Sequence, residues 1–72
     1  MNWKFDGIDI TAIAEKNDWH LASAVEELES HGIAPRDAEA AMAFIFASNA
    51  KHSDDTPEDL VTDEQWDRLT IA

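Results

Sequence analysis

Gly7, Gly32, Pro35 and Pro57 are the only glycines and prolines of the chain. These residue types most strongly end or redirect regular structure. A chain of 72 residues with so few of them must fold into a handful of elements whose boundaries fall at those places. The clearest boundary is HGIAPRDAEAAM, residues 31–42. Gly32 suits the left-handed C′ position that ends a helix, with His31 in the last turn and Ile33 able to pack back on Leu28. Pro35, which lacks an N–H, suits the first position of the next helix.

Upstream of Gly32, Leu21, Val25 and Leu28 share a stripe with Ala24 beside them, while Glu26, Glu27 and Glu29 point elsewhere. This spacing predicts a helix over about 19–31 with an acidic outer face. Downstream, PRDAEAAMAFIFASNA predicts a longer helix over about 35–50. Ala38, Ala41, Met42, Ile45 and Asn49 form one face, with Phe44 and Phe46 to either side. So wide an apolar arc belongs to a central helix with neighbours on more than one side. A homodimer through this helix would give Phe44 or Phe46 a place to be buried.

The ends follow the same logic. Residues 1–10 read as a β-hairpin, because Asp6-Gly7 is a favoured type I′ pair between alternating apolar and polar side chains. A two-residue loop sets Phe5 opposite Ile8, Lys4 opposite Asp9 and Trp3 opposite Ile10, each pair compatible. Ile10, Ile13 and Ala14 then take helical spacing over about 10–17, and Asn17-Asp18 offers a break and an N-cap for the following helix. KHSDDT, residues 51–56, reads as a linker. In residues 57–72, Pro57 follows Thr56 as N1 follows an N-cap, and Thr62-x-x-Gln65 spells a capping box. Trp66, Leu69 and Ile71 are the apolar groups that could dock this acidic helical segment on the body. The expectation is one domain over 1–72, mainly α, built as a small bundle of three to four short helices (core 11–50) with an N-terminal hairpin.

Composition narrows the function. A domain this small buries only about 60 to 65% of its unfolded surface, which leaves little room for an enclosed active site. With no Cys there are neither disulfides nor thiolate metal sites. The opening residues lack a signal-peptide pattern and no apolar run approaches a membrane span, so a soluble protein is expected, and the absence of Cys leans its compartment towards the cytoplasm. His20, His31 and His52 form no HExxH or i, i+4 pair. The serines have no neighbouring base or glycine elbow. Asp59 and Asp63 could share a helical face, but without a calcium-loop spelling. The expectation is a non-enzyme without metal or cofactor.

The segment AVEELESHGIAPRDAEAAMAFI, residues 24–45, loosely resembles a helix-turn-helix and is similar to small DNA-binding or antitoxin domains. That resemblance implies a dimerising transcriptional regulator. Yet the predicted recognition helix opens with Arg36, Asp37 and Glu39, whereas such helices normally offer Arg, Lys, Asn or Gln to DNA. No family is assigned on these residues.

The net charge of −11 repels free nucleic acid and anionic membranes and attracts cationic proteins. It is densest at residues 53–67, SDDTPEDLVTDEQWD, with seven carboxylates and no Lys or Arg. A solvated face that maintains solubility is the plainest account of such a run. The functional account is that Asp54, Asp55, Glu58, Asp59, Asp63, Glu64 and Asp67 imitate nucleic-acid phosphates against a basic protein, with Trp66 as an anchor. Glu26, Glu27 and Glu29 make a second candidate contact surface. The expected activity is that of an acidic inhibitor or adaptor, comparable in size and charge with phage or mobile-element anti-defence proteins, including anti-CRISPR DNA mimics, and with antitoxins. A helical scaffold assembling through apolar surface is a further alternative.

Overall fold

The computed structural model describes residues 2–49 and 57–71. Among them the chain runs β1 (Trp3–Phe5), β2 (Ile8–Asp9), α1 (Ile10–Lys16), α2 (Leu21–Ser30), α3 (Pro35–Asn49), a 3-10 turn (Pro57–Leu60), α4 (Asp63–Arg68) and β3 (Leu69–Ile71). The fold is mainly helical with a small antiparallel sheet. The linker expected at 51–56 lies outside the described residues. No helix among the described residues is long and apolar enough to cross a membrane.

The hairpin forms as its turn chemistry dictates. Asp6 and Gly7 both take positive φ, 52° and 80°, which is what a type I′ turn requires and what Asp and Gly tolerate best. Lys4 faces Asp9 and Phe5 faces Ile8. The third expected pair is different: Ile10 already belongs to α1, and Trp3 faces Ile71 instead. β3 lies on the other side of β1, giving the order β2-β1-β3. The end of the acidic segment is therefore a strand and not helix. A two-stranded ribbon is marginal alone, and β3 occupies the β1 edge that would otherwise present unpaired backbone groups.

Helix boundaries follow capping chemistry. Asp9 caps α1 by accepting a hydrogen bond from the Ala12 N–H at 2.9 Å. At the other end of α1, the Asp18 N–H donates to Glu15 O at 3.0 Å and the Trp19 N–H to Ala14 O at 2.9 Å, with Asp18 at φ 54°. These are the two bonds of a Schellman motif. Asn17-Asp18 thus closes α1 rather than capping α2, which starts at Leu21 after a His20 that makes no side-chain cap. Asn, Asp and Gly suit both kinds of helix end, and the pattern of residue types does not separate them. Trp19 is also left-handed, at φ 59°, an uncommon state for a bulky residue. Its ring meets Phe46 edge to face at 5.3 Å.

α2 ends as expected at Gly32, φ 91°, whose N–H donates to Glu29 O at 2.9 Å. Pro35 opens α3, with the Ala38 N–H bonded to Ala34 O. α3 is the central element and meets α1, α2, α4 and the 3-10 turn. Ala38, Ala41, Met42, Phe44 and Ile45 are all buried, together with Phe5, Ile10, Ala14, Ala24, Leu28 and Leu69. The alanines let neighbouring backbones approach closely while Met42, Phe44 and Ile45 fill the volume between them. Phe44 is buried within its own chain and Phe46 lies half-covered against Trp19, so neither requires a dimer for its burial.

Because β3 completes both sheet and core through Leu69, Leu69→Ala should destabilise the domain by about 2 to 3 kcal/mol, a large share of what so small a core provides. A lowered urea midpoint with an unchanged slope is the expected result; an unchanged midpoint would mean that β3 contributes little packing.

Candidate protein-binding surface

The acids of the C-terminal region divide by position. Asp54 and Asp55 lie outside the described residues. Glu58 and Asp59 belong to the 3-10 turn, and Asp63, Glu64 and Asp67 to α4. Asp59, Asp63, Glu64 and Asp67 are all exposed. α4 begins with the expected capping box: the Gln65 N–H donates to Thr62 Oγ1 at 3.2 Å, and the Thr62 N–H donates to Gln65 Oε1 at 2.9 Å. Asp63 and Glu64 fall in the first turn, where the helix dipole favours negative charge. That placement lowers part of the electrostatic cost of the crowded acids.

Trp66 is 40% exposed. Its ring leans on Phe44 at 5.8 Å and on Trp3 at 6.1 Å, and Trp3 itself meets Phe44 edge to face at 4.8 Å. One face of Trp66 therefore pins α4 to the body while the rest remains open to solvent.

Sequence reasoning missed the residue that holds this region in place. Arg68 follows the acidic run directly, and its Nε donates to both Asp6 carboxylate oxygens at 2.9 and 3.1 Å. Its Nη2 also pairs with Asp6, and its Nη1 donates to Asp37 Oδ2 at 3.0 Å. The guanidinium carbon lies 4.5 Å from the Phe5 ring centroid, and the Asp6 N–H donates to the Arg68 carbonyl at 3.1 Å. Gln65, buried inside the capping box, donates from Nε2 to Asp37 Oδ1 at 2.9 Å. Arg68 holds the Asp6 carboxyl below the usual carboxylate range. Gln65 first, and Arg68 after it, do the same for Asp37. The two carboxylates in turn raise the Arg68 pKa above its ordinary value. No local pattern announces an ion pair spanning 62 positions; the only hint in the sequence is a lone Arg beside seven acids.

The second acidic set is on α2. Glu27 is committed internally: Asn17 Nδ2 donates to it at 3.1 Å and Lys16 Nζ at 3.3 Å, so its carboxyl is held below the usual range. Glu26 is exposed and Glu29 half-buried, and both line a groove between α2 and α3. The groove measures about 570 Å³, and its floor is Leu21, Ala22, Val25 and Ala43. Glu39 of α3, which the sequence reading did not select, completes the rim. Helical spacing alone does place Leu21, Val25 and Glu29 on one face of α2, and Glu39 and Ala43 on one face of α3. Only the packing of the two helices brings those faces together.

Among the described residues no group of three or more His, Asp or Glu could hold a metal ion. Comparison with protein-family models, with curated proteins and with solved structures finds no match to this chain.

Arg68 is partly exposed, so solvent screening lowers the worth of its ion pairs. Arg68→Met, which keeps the packing on Phe5 but removes the charge, should cost about 1 to 2 kcal/mol at neutral pH. The folded-state values of Asp6 and Asp37 are lowered, so their stabilisation is complete above the ordinary carboxylate value near ~4 and is lost as pH falls through the lowered values. The stability gap between wild type and Arg68→Met should stay constant from about pH 7 to about pH 5 and shrink below about pH 4. Urea unfolding across that range checks it, and a gap that persists undiminished in strong acid would contradict the assignment.

Proposed function

We propose that this domain is a non-catalytic protein-binding module that engages a basic surface of a larger protein. The proteins that carry such surfaces include nucleic-acid-binding ones, for which the domain would serve as inhibitor or adaptor, as anti-defence proteins and antitoxins do. The observation that carries this reading is the distribution of ion pairs. Arg68 is taken up by Asp6 and Asp37, and Lys16 by Glu27. Lys4 stands opposite Asp9 in the hairpin. Asp59, Asp63, Glu64 and Asp67, and on the other face Glu26, Glu29 and Glu39, have no ion pair among the described residues. These pairs use up Arg68 and Lys16 at the surface of the fold, and of the carboxylates left over only Glu29 is half-buried, the others being exposed.

Such a field attracts a cationic partner at long range, speeds encounter and makes association salt-dependent. It opposes approach to DNA. The first turn of α3, where a helix-turn-helix would read bases, has exposed Arg36 beside Asp37, which Gln65 and Arg68 engage, and Glu39 two residues beyond Asp37. Both features favour a protein partner over a nucleic acid.

The test pairs two measurements. A mobility-shift titration with duplex DNA at about 50 mM salt should give no complex. Capture of a basic protein from lysate of the native cell should succeed at that salt and fall steeply by about 500 mM. A specific DNA complex of sub-micromolar Kd, or capture indifferent to salt, would overturn the proposal.

A further inference from the structure

We propose that the groove between α2 and α3 is a docking site for an amphipathic helix bearing Lys or Arg beside an apolar stripe. The inference rests on the protein-binding reading and adds to it a place and a chemistry of ligand. The floor is apolar and open, with Leu21 47% exposed. The two alanines keep it low between the larger Leu21 and Val25, leaving space for an incoming side chain. Glu26, Glu29 and Glu39 surround it, and no cation lines it. An apolar ligand alone would leave those three carboxylates beside a water-poor contact with no counter-charge, which is unfavourable. A purely polar cation would leave the floor wet. A ligand that satisfies both has apolar side chains with cationic ones at their flanks.

The walls specify the ligand's backbone. Both are helices, and past the first-turn N–H groups at Leu21 and Ala22 their backbone groups are bonded within the helix, so the groove offers no strand edge to which an extended peptide could add. The ligand must therefore satisfy its own backbone, as a helix does. From Leu21 to Glu29 the α2 wall of the groove advances about 12 Å at 1.5 Å per residue, slightly more than two turns. That length accepts two or three apolar side chains at i, i+3 or i+4, and i+7. One turn beyond Ala43, Phe46 carries the Trp19 ring, which extends the apolar surface past that end. A second copy of this chain is a poor occupant: a two-fold contact would set each acidic rim against its own equivalent, between molecules that each carry a charge of −11.

The experiment uses the full chain, isotope-labelled for NMR, and two synthetic peptides of about 18 residues made of Leu and Lys, long enough to form a helix on binding. One has Leu at helical spacing on a single face; the other has the same composition scrambled. The expected result is saturable binding of the first at about 50 mM salt, with amide shifts centred on Leu21, Ala22, Val25, Glu26, Glu29, Glu39 and Ala43, and binding of the scrambled peptide at least about ten-fold weaker. Leu21→Gln, at a half-exposed position that the core does not need, should weaken binding about ten-fold without changing its salt dependence. The triple variant Glu26→Gln, Glu29→Gln, Glu39→Gln should weaken it and flatten that dependence. Shifts centred on residues 59–67, or equal affinity for both peptides, would overturn the groove while leaving the broader function standing. So would a concentration-dependent dimer that perturbs the groove amides without peptide. Binding of neither peptide would overturn both.

Discussion

A single guanidinium joins the two ends of this fold. Arg68 reaches the hairpin turn through Asp6 and the first turn of α3 through Asp37, while its plane lies over Phe5. An Arg suits this place because its planar fork of donors matches two carboxylates at once and stacks on a ring. Its partners lie in the hairpin and in α3, and Arg68 itself ends α4 next to β3, so the junction ties down structure that would otherwise be weakly held. The hairpin is too short to stand alone, α4 has six residues, and β3 has three. A chain this small cannot rely on core volume alone, and here a charged junction at the edge of the core does part of that work.

The same junction governs what the surface presents. Asp6 and Asp37 share Arg68, which offsets one of their two charges, and Glu27 is tied to Lys16 and Asn17. The acids most valuable to the fold thus take up cations, and the unpaired ones among the described residues lie on the 3-10 turn and α4, around the α2/α3 groove, and at Glu15 and Asp18 by α1. The two acidic regions differ in kind. Around α4 the carboxylates stand beside Trp66, half of which is committed to Phe44 and Trp3. Around the groove they surround apolar side chains that nothing in the chain covers among the described residues. The first arrangement suits long-range attraction, and the second suits a contact that excludes water.

Much of the architecture could be read locally, because turn and cap chemistry is local. Asp6-Gly7 dictated the hairpin and its first two facing pairs, Gly32 and Pro35 separated α2 from α3, and Thr62 with Gln65 marked the start of α4. The breadth of the apolar arc on α3 correctly signalled a central helix. What escaped was non-local or ambiguous. Leu69-Thr70-Ile71 is too short to show a strand period, and it is a strand because β1 has an edge to fill. Asn17-Asp18 fits a helix start as well as a helix end, and the bonds to Ala14 and Glu15 decide for the end. Of the candidate contacts, Glu27 turned out to be an internal partner, while Glu39 and the groove floor emerged only once two helix faces were brought together.

The central claim is that the outward carboxylates of the isolated domain are uncompensated, so that their mutual repulsion outweighs its few internal ion pairs. The most direct test is the urea unfolding midpoint in NaCl at about 20 mM and about 500 mM, since salt screens repulsive and attractive pairs alike. If repulsion dominates, the midpoint rises with salt. A midpoint that falls would mean that the surface charges are already balanced within the chain, and the case for a cationic partner would go with it.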